Sequence, residues 1–237
     1  MTKLLLIGYG RMGKMIEDVV SARDDCMIVG KIDPLLPAWD EKEAPDAILD
    51  FSAPGGVKSS ANLALKYGCA LVVGTTGFDE EARKFLAETA QKVPVICSSN
   101  YSLGVAVLKK AVRMTALALG EDFDIEIVEA HHNKKQDAPS GTALSLAEAA
   151  DVKGDKPRLY GREGQVGARG REIGLHAVRG GTQAGEHRVL FMGDNEQIEL
   201  RHEAQSRRIF AAGAVKAALI LSRKGPGTYT MDDVIQL

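Results

Sequence analysis

Lys3-Leu4-Leu5-Leu6-Ile7-Gly8-Tyr9-Gly10-Arg11-Met12-Gly13 decides the fold of this chain. A short apolar run breaks at once into Gly-x-Gly-x-x-Gly, and Met15, Ile16, Val19 and Val20 then recur at helical spacing. A strand, a glycine turn and a helix in that order form a dinucleotide-binding turn. Gly8 makes the tight turn, Gly10 lets the backbone approach a pyrophosphate, and Gly13 lets helix and strand pack closely. Tyr9, Arg11 and Met12 fill the same turn. A second strand, Met27 to Ile32, ends at Asp33, twenty residues beyond Gly13. An acid there is placed to bond the ribose hydroxyls of NAD. Its charge repels the 2′-phosphate of NADP, Pro34 follows where an arginine would help, and only Arg11 and Lys31 could compensate. NADH is therefore the expected cofactor, with NADPH accepted.

Strands and helices alternate beyond Asp33. Strands are expected at 46–51, 70–73 and 94–97, with helices at about 56–66 and 80–91. That order implies an α/β fold, a Rossmann-type doubly wound parallel sheet. Ligands bind such sheets beyond the carboxyl ends of the strands, where this sequence places glycine- and hydroxyl-rich turns. The turns are Phe51-Ser52-Ala53-Pro54, Gly74-Thr75-Thr76 and Ser98-Ser99-Asn100-Tyr101. Phe51, Gly74, Thr75, Thr76, Ser98, Ser99, Asn100 and Tyr101 are the expected rim of the nicotinamide site.

A second concentration of chemistry lies in Glu129-Ala130-His131-His132-Asn133-Lys134-Lys135-Gln136-Asp137-Ala138-Pro139-Ser140-Gly141-Thr142. Asp124 to Glu129 alternates polar and apolar residues, as a half-buried strand does. The polar run after it ends that strand. Pro139 keeps its predecessor out of the helical region, and Ser140 caps a helix through Thr142 to Ala147. Imidazole gives or takes a proton near neutral pH, lysine supplies charge, and a helix start favours a carboxylate. The arrangement suits gripping an anion and protonating something beside it.

The remainder of the chain sets limits. Its 237 residues, 45% hydrophobic and 26% charged, suit a globular enzyme of one large or two modest domains. A net charge of −2 and one Trp give no case for binding nucleic acid. No apolar stretch is long enough to span a membrane, and a strand starting at residue 3 leaves no room for a signal peptide. Cys26, Cys69 and Cys97 read as buried thiols in a reducing cytoplasm, with no metal site expected.

After about Leu103 the pattern changes. A long helix, 103–119, leads to a strand at 123–129 and the His-His loop. Segments resembling antiparallel strands follow at 172–179, 186–192 and 197–203, and Tyr160 to Gly174, with Arg162, Arg169 and Arg171, reads as a mobile loop. A final helix at 210–223 resembles those of the first half. The expectation is a split dinucleotide-binding domain, residues 1–102 and 208–237. An inserted α+β domain, 103–207, would serve substrate binding and oligomerisation.

Taken together these motifs resemble the 4-hydroxy-tetrahydrodipicolinate (dihydrodipicolinate) reductase family nearly end to end. Gly8 to Gly13, Asp50 to Pro54, Gly74 to Phe78 and Asn100 to Gly104 carry the resemblance, and Glu129 to Thr142 carries it most specifically. It implies NAD(P)H-dependent reduction of a cyclic unsaturated dicarboxylate to tetrahydrodipicolinate, in the diaminopimelate route to lysine. By the same resemblance His131 and Lys135 are proton donors, while His132, Ser140, Gly141, Thr142 and Arg207 bind substrate. Gln205-Ser206-Arg207 departs from the family's usual Ser-Ser-Arg, and Lys134 is a solvated neighbour. The dozen residues after Asp33 replace a longer segment, leaving the adenosine side more open. The resemblance also implies a homotetramer. Two alternatives compete: another nicotinamide-dependent dehydrogenase of amino-acid metabolism, and a non-catalytic NAD(P)H sensor. The first has no particular need for the His-His loop, and a sensor need not keep donor, lysine and anion clamp together.

Overall fold

The computed structural model describes residues 1–235; residues 236 and 237 of the expected 208–237 segment lie outside the described residues. The chain divides into two compact units, Met1–Leu103 with Arg208–Leu237, and Gly104–Arg207.

In the first unit β1 (Thr2–Ile7), α1 (Arg11–Ser21) and β2 (Cys26–Ile32) follow the opening motif. Then come β3 (Ala47–Asp50), a 3-10 turn at Pro54–Gly56, α2 (Val57–Tyr67), β4 (Ala70–Val73), α3 (Glu80–Ala90) and β5 (Pro94–Cys97). Runs such as Leu4-Leu5-Leu6 and Ala47-Ile48-Leu49 have no polar face, because a parallel sheet between helices is buried on both sides. Leu5, Ile7, Ile48, Leu71, Val73 and Val95 meet α2 and α3 in one core. α6 (Arg208–Leu221) returns from the second unit's end of the chain to pack on α1.

All pairings in this sheet are parallel, and with β11 (Gly227–Tyr229) at one edge the order is β11-β5-β4-β3-β1-β2. The chain steps from β1 outward to β2 and then crosses back to β3. The switch point therefore lies between the carboxyl ends of β1 and β3, where open α/β sheets bind ligands. The sixth strand, β11 (Gly227–Tyr229), extends the edge beyond β5, with α7 (Met231–Ile235) after it.

The second unit comprises α4 (Leu103–Leu119), β6 (Asp124–His131), α5 (Gly141–Ala150), β7 (Arg158–Tyr160), β8 (Ile173–Arg179), β9 (Gly185–Gly193) and β10 (Glu196–Ala204). Its sheet runs β10-β9-β6-β8-β7. Leu108 and Val112 of α4 and Leu146 of α5 pack on Ile125, Ile127, Leu175 and Phe191 to make its core.

Four expectations are corrected. β8 pairs parallel, not antiparallel, with β6. The chain between them, through α5 and β7, is long enough for the crossover that a parallel pair requires. β6 continues through His131 rather than ending at 129. The stretch expected as a mobile loop at 160–174 is pinned: Arg169 donates to Ile125 O, Glu172 O and Glu126, while Arg162 bonds Glu126 and Glu172. Cys97 is exposed, because it ends β5 at the sheet rim, whereas Cys26 and Cys69 are buried.

Candidate active site

The first unit's recess is made largely by what its side chains leave out. Gly8 sits at φ +89°, and a Cβ there would stand 2.5 Å from Phe51 O. A Cβ on Gly13 would stand 2.2 Å from Gly8 O, so helix and turn could not approach as they do. Gly10 differs: nothing lies within 4 Å of its missing Cβ. It borders a cavity of about 490 Å³ that also touches Gly8, Asp33 and Phe51. α1 begins at Arg11 with no acidic residue in its first turn and no side-chain cap on Gly10. Its first N–H groups and positive dipole end therefore suit a phosphate.

Asp33 accepts the Tyr9 N–H at 2.7 Å and the Leu35 N–H at 3.0 Å. These backbone bonds hold its carboxyl below the usual carboxylate range. Of the two compensating cations, Lys31 is engaged: it pairs with Glu17 and lies 4.5 Å from the Tyr9 ring centroid, while the Tyr9 hydroxyl donates to Glu17. Arg11 and Met12 stand on the first turn of α1, Arg11 exposed and Met12 half-buried.

The remaining predicted rim residues lie at the ends of β3, β4 and β5. Phe51 lies against Gly74, whose missing Cβ would fall 2.1 Å from the ring, and 5.8 Å from Tyr101 by ring centroids. Thr75 turns its hydroxyl inward, donating to buried Asp50 at 2.9 Å and accepting the Ser52 N–H at 3.0 Å. Tyr101 is likewise internal, its hydroxyl donating to Val73 O at 2.7 Å. Ser98 donates to Asn100 O, and Asn100 Oδ1 accepts the Ser102 N–H. Thr76 and Ser99 are exposed. Ile32, Pro34, Ser59 and Leu63 also line the cavity and escaped the sequence reading. Ser59 and Leu63 lie on α2, where helical periodicity disguises them as ordinary face residues.

The second unit's site is built from charge held on strands. Side chains two apart share a strand face, so Ile125, Ile127, Glu129 and His131 project to the same side of β6. That side is core at its first half and turns polar at its second. Register sets the neighbours: Glu129 is paired with His187 on β9, and His131 with Arg179 on β8. The His131 ring occupies space over Gly185, whose missing Cβ would stand 2.9 Å from Nε2.

Glu129 is 1% exposed, yet every oxygen is used. Arg179 grips it with two bonds of 2.6 and 2.7 Å, His131 Nδ1 lies 2.6 Å from Oε2, and the Ser140 N–H donates to Oε1 at 2.9 Å. Burial would raise its carboxyl, but these donors outweigh burial and keep it below the ordinary range. Burial also lowers the His131 imidazole; Glu129 opposes that, Lys135 and Arg179 add to it, and the net result is below 6.5. His187, buried edge-on to His131 at 5.2 Å, is pushed down to about 4, chiefly by burial and next by His131. Its Nε2 lies 3.0 Å from Ser140 Oγ.

Ser140 caps α5, accepting the Ala143 N–H at 3.1 Å, and Gly141 and Thr142 form the first turn. Lys135 is half-buried and paired with Asp137 at 2.8 Å, while Lys134 is exposed. Arg207 Nη2 reaches to 3.0 Å of His132 Nε2 across seventy-five residues of sequence. Thus the structure gathers His131, His132, Lys135, Ser140, Gly141, Thr142 and Arg207 around one end of the second sheet. Glu129, Arg179 and His187 escaped the sequence reading as site residues. The signal for Glu129 was there: it keeps the parity of Ile125 and Ile127, which puts an acid on the core side. Among the described residues no group of three or more His, Cys, Asp and Glu is arranged to hold a metal ion, and no helix is long and apolar enough to cross a membrane.

A glycine turn at the switch point of a parallel sheet, joined to a second unit rich in proton carriers, defines a nicotinamide-dependent oxidoreductase of the Rossmann type. The family models narrow this further. Residues 2–101 match the dihydrodipicolinate reductase N-terminus and residues 104–235 the dihydrodipicolinate reductase C-terminus, so the chain belongs to the dihydrodipicolinate reductase family. It is 50% identical to 4-hydroxy-tetrahydrodipicolinate reductase of Methanosarcina acetivorans over 83% of this chain and 75% of that protein. The corresponding protein of Methanocorpusculum labreanum is 40% identical over the full length of both. A dipicolinate-bound dihydrodipicolinate reductase from Paenisporosarcina sp. TG-14 superposes with a TM-score of 0.78 at 25% identity, over 97% of each chain.

Proposed function

We propose that this protein reduces 4-hydroxy-tetrahydrodipicolinate to tetrahydrodipicolinate with a nicotinamide cofactor, in the diaminopimelate route to lysine. Family membership supports the reaction, and the gathering of His131, Lys135 and the capped start of α5 is the observation that carries the mechanism. The dihydronicotinamide, when bound, supplies the hydride. Gly8 to Gly13 and the start of α1 hold the pyrophosphate, Asp33 the adenosine ribose, and the turns at Phe51, Gly74 to Thr76 and Ser98 to Tyr101 the nicotinamide side. Thr75 and Tyr101 act there through their backbone and by bracing the strand ends, because their hydroxyls are turned inward.

The substrate's carboxylates are held by Gly141 and Thr142 at the helix start and by the His132–Arg207 pair, while Ser140, its N–H given to Glu129 and its hydroxyl to the cap and His187, acts by fixing that helix start. Hydride arrival leaves electron density on the neighbouring carbon, and His131 gives that carbon its proton. Lys135 stands beside it as the second donor. His131 must be protonated to act, so kcat/KM falls as pH rises through its pKa.

NADH is the preferred cofactor. Asp33 is held ionised at the cavity, and Glu17 already neutralises Lys31, which leaves Arg11 as the cation for a 2′-phosphate. We further propose a cytoplasmic homotetramer. The sheet face away from α5 supports it, since Val178 and Met192 stand exposed there.

The test is NADH oxidation by the purified protein while the unstable substrate is generated in situ from pyruvate and aspartate semialdehyde by the preceding synthase. Oxidation that needs every component supports the reading. Silence with both NADH and NADPH, despite proven cofactor binding and substrate supply, overturns it. A large kcat/KM preference for NADPH overturns the cofactor assignment alone, and sedimentation as a monomer the assembly.

A further inference from the structure

Glu129 is buried with the half-buried Arg179 against it, and it accepts the Ser140 N–H at the helix start that would bind a carboxylate. Glu129 also meets His131, while Arg179 donates besides to the carbonyls of Val178 and Asp137. A charged pair is a poor way to stabilise a strand end: desolvating both ions offsets most of their attraction, and apolar residues of equal volume often serve as well. Its geometry here is directional. Glu129 Oε2 lies 2.6 Å from His131 Nδ1, and Arg179 binds both carboxylate oxygens, so the carboxylate cannot swing away. Register locks the arrangement, since Glu129 and His131 are two apart on one face and Arg179 is the cross-strand partner of His131.

We propose that Glu129 is a positioning residue that fixes His131 in the tautomer protonated on Nδ1, so that Nε2 is the atom that delivers and recovers the reaction's proton, with Arg179 anchoring the carboxylate. Nδ1 beside an ionised acceptor is held as N–H in both charge states. In the imidazolium, the Nε2–H bond breaks, its electron pair stays on the ring, and the proton goes to the substrate carbon. A neutral imidazole remains, and solvent reprotonates it at the same nitrogen. The groups facing the ring are Glu129 on β6, Arg179 on β8, His187 on β9, and Lys135 with its partner Asp137 on the following loop. Of these, only Glu129 both carries a negative charge and bonds the ring, so it alone holds the imidazolium against the cations around it.

This inference rests on the reading of His131 as the donor, and the experiment separates the two. With ¹⁵N-histidine-labelled full-length protein, His131 is assigned by its loss in His131→Ala, and its ring shifts are read above its pKa. Protonated Nδ1 and bare Nε2 are expected. The opposite tautomer, or a mixture, overturns the proposal whatever the activity. An active His131→Ala instead overturns the donor reading while the tautomer stands.

Glu129→Gln should turn its amide N–H toward Nδ1, since Arg179 claims the oxygen, and thereby move the neutral proton to Nε2. We expect kcat per folded molecule to fall by about 10²–10⁴-fold. The high-pH limb of kcat/KM should move down by about one unit or more, as loss of a neighbouring opposite charge predicts. Glu129→Asp should keep the limb near its original pH. A Glu129→Gln enzyme that loses stability but keeps kcat and the pH limb overturns the proposal. Should that variant fail to fold, the wild-type tautomer decides alone.

Discussion

The two units reach their chemistry by opposite routes. The first makes its recess from missing side chains: Gly8, Gly10 and Gly13 clear the way for backbone N–H groups, and its polar side chains mostly brace strand ends. The second buries charge, locking Glu129, Arg179, His131 and His187 on adjacent strands by register. The difference teaches where sensitivity lies. A site of backbone and glycine responds to added volume and little to pH, whereas one of buried ionisable groups responds to protons and to loss of any partner.

The largest expected effect lies in the second unit. His131→Ala should lower kcat by about 10²–10⁴-fold, with a modest change in KM. Its NADH affinity, measured by fluorescence titration, should stay that of wild type. Unchanged turnover would remove His131 from the mechanism, and a matching loss of NADH binding would break the contrast.

In the first unit the glycines themselves should differ. Gly10→Ala should fold normally, because its Cβ enters open space, but weaken NADH binding by about ten- to a hundredfold, the effect of about 1–3 kcal/mol of overpacking against a ligand. Gly13→Ala should instead lower the thermal midpoint before any ligand is added, since its Cβ meets Gly8 O. Equal melting temperatures for the two would contradict this division.

Thr142→Ala should raise KM by about tenfold or more through a lost bond to a carboxylate, worth ~1.5–3 kcal/mol, and leave kcat nearly intact. An unaffected KM would argue against the carboxylate clamp.

The last effect concerns stability in acid and leaves activity at neutral pH aside. His187 falls from 6.5 unfolded to about 4 folded, so its neutral form is the one that folding favours. That contribution is complete above pH 6.5 and is lost as pH falls through about 4, on the order of 3 kcal/mol in all. Urea titrations at pH 7 and pH 4 should therefore differ less for His187→Phe than for wild type. Parallel losses in both would remove His187 from the acid response.

Much of this contrast was legible in the sequence, unevenly. The glycine spacing after Leu4-Leu5-Leu6-Ile7 and the acid at Asp33 specify a parallel nucleotide fold, because each requirement is local in sequence. The Glu129 to Thr142 run marks the polar end of the second unit for the same reason. Register is not local. Nothing near Arg179 announces that it will bind Glu129, and nothing near His187 that it will pack edge-on to His131. β11 was invisible because three residues carry no period. The direction of β8 depends on how the chain between β6 and β8 crosses over, which its own residues do not encode.

Arg179 holds more than one part in place. Its Nη2 donates to Glu129 and also, at 2.7 Å, to the carbonyl of Asp137, whose side chain holds Lys135. The strand-borne histidine and the loop-borne lysine are thus moored to a single guanidinium. The loop can exchange exposed residues such as Asn133, Lys134 and Gln136 at little consequence, but adding or deleting one between His131 and Asp137 would draw the carbonyl off its mooring. Across sequence change, this segment should vary in composition long before it varies in length.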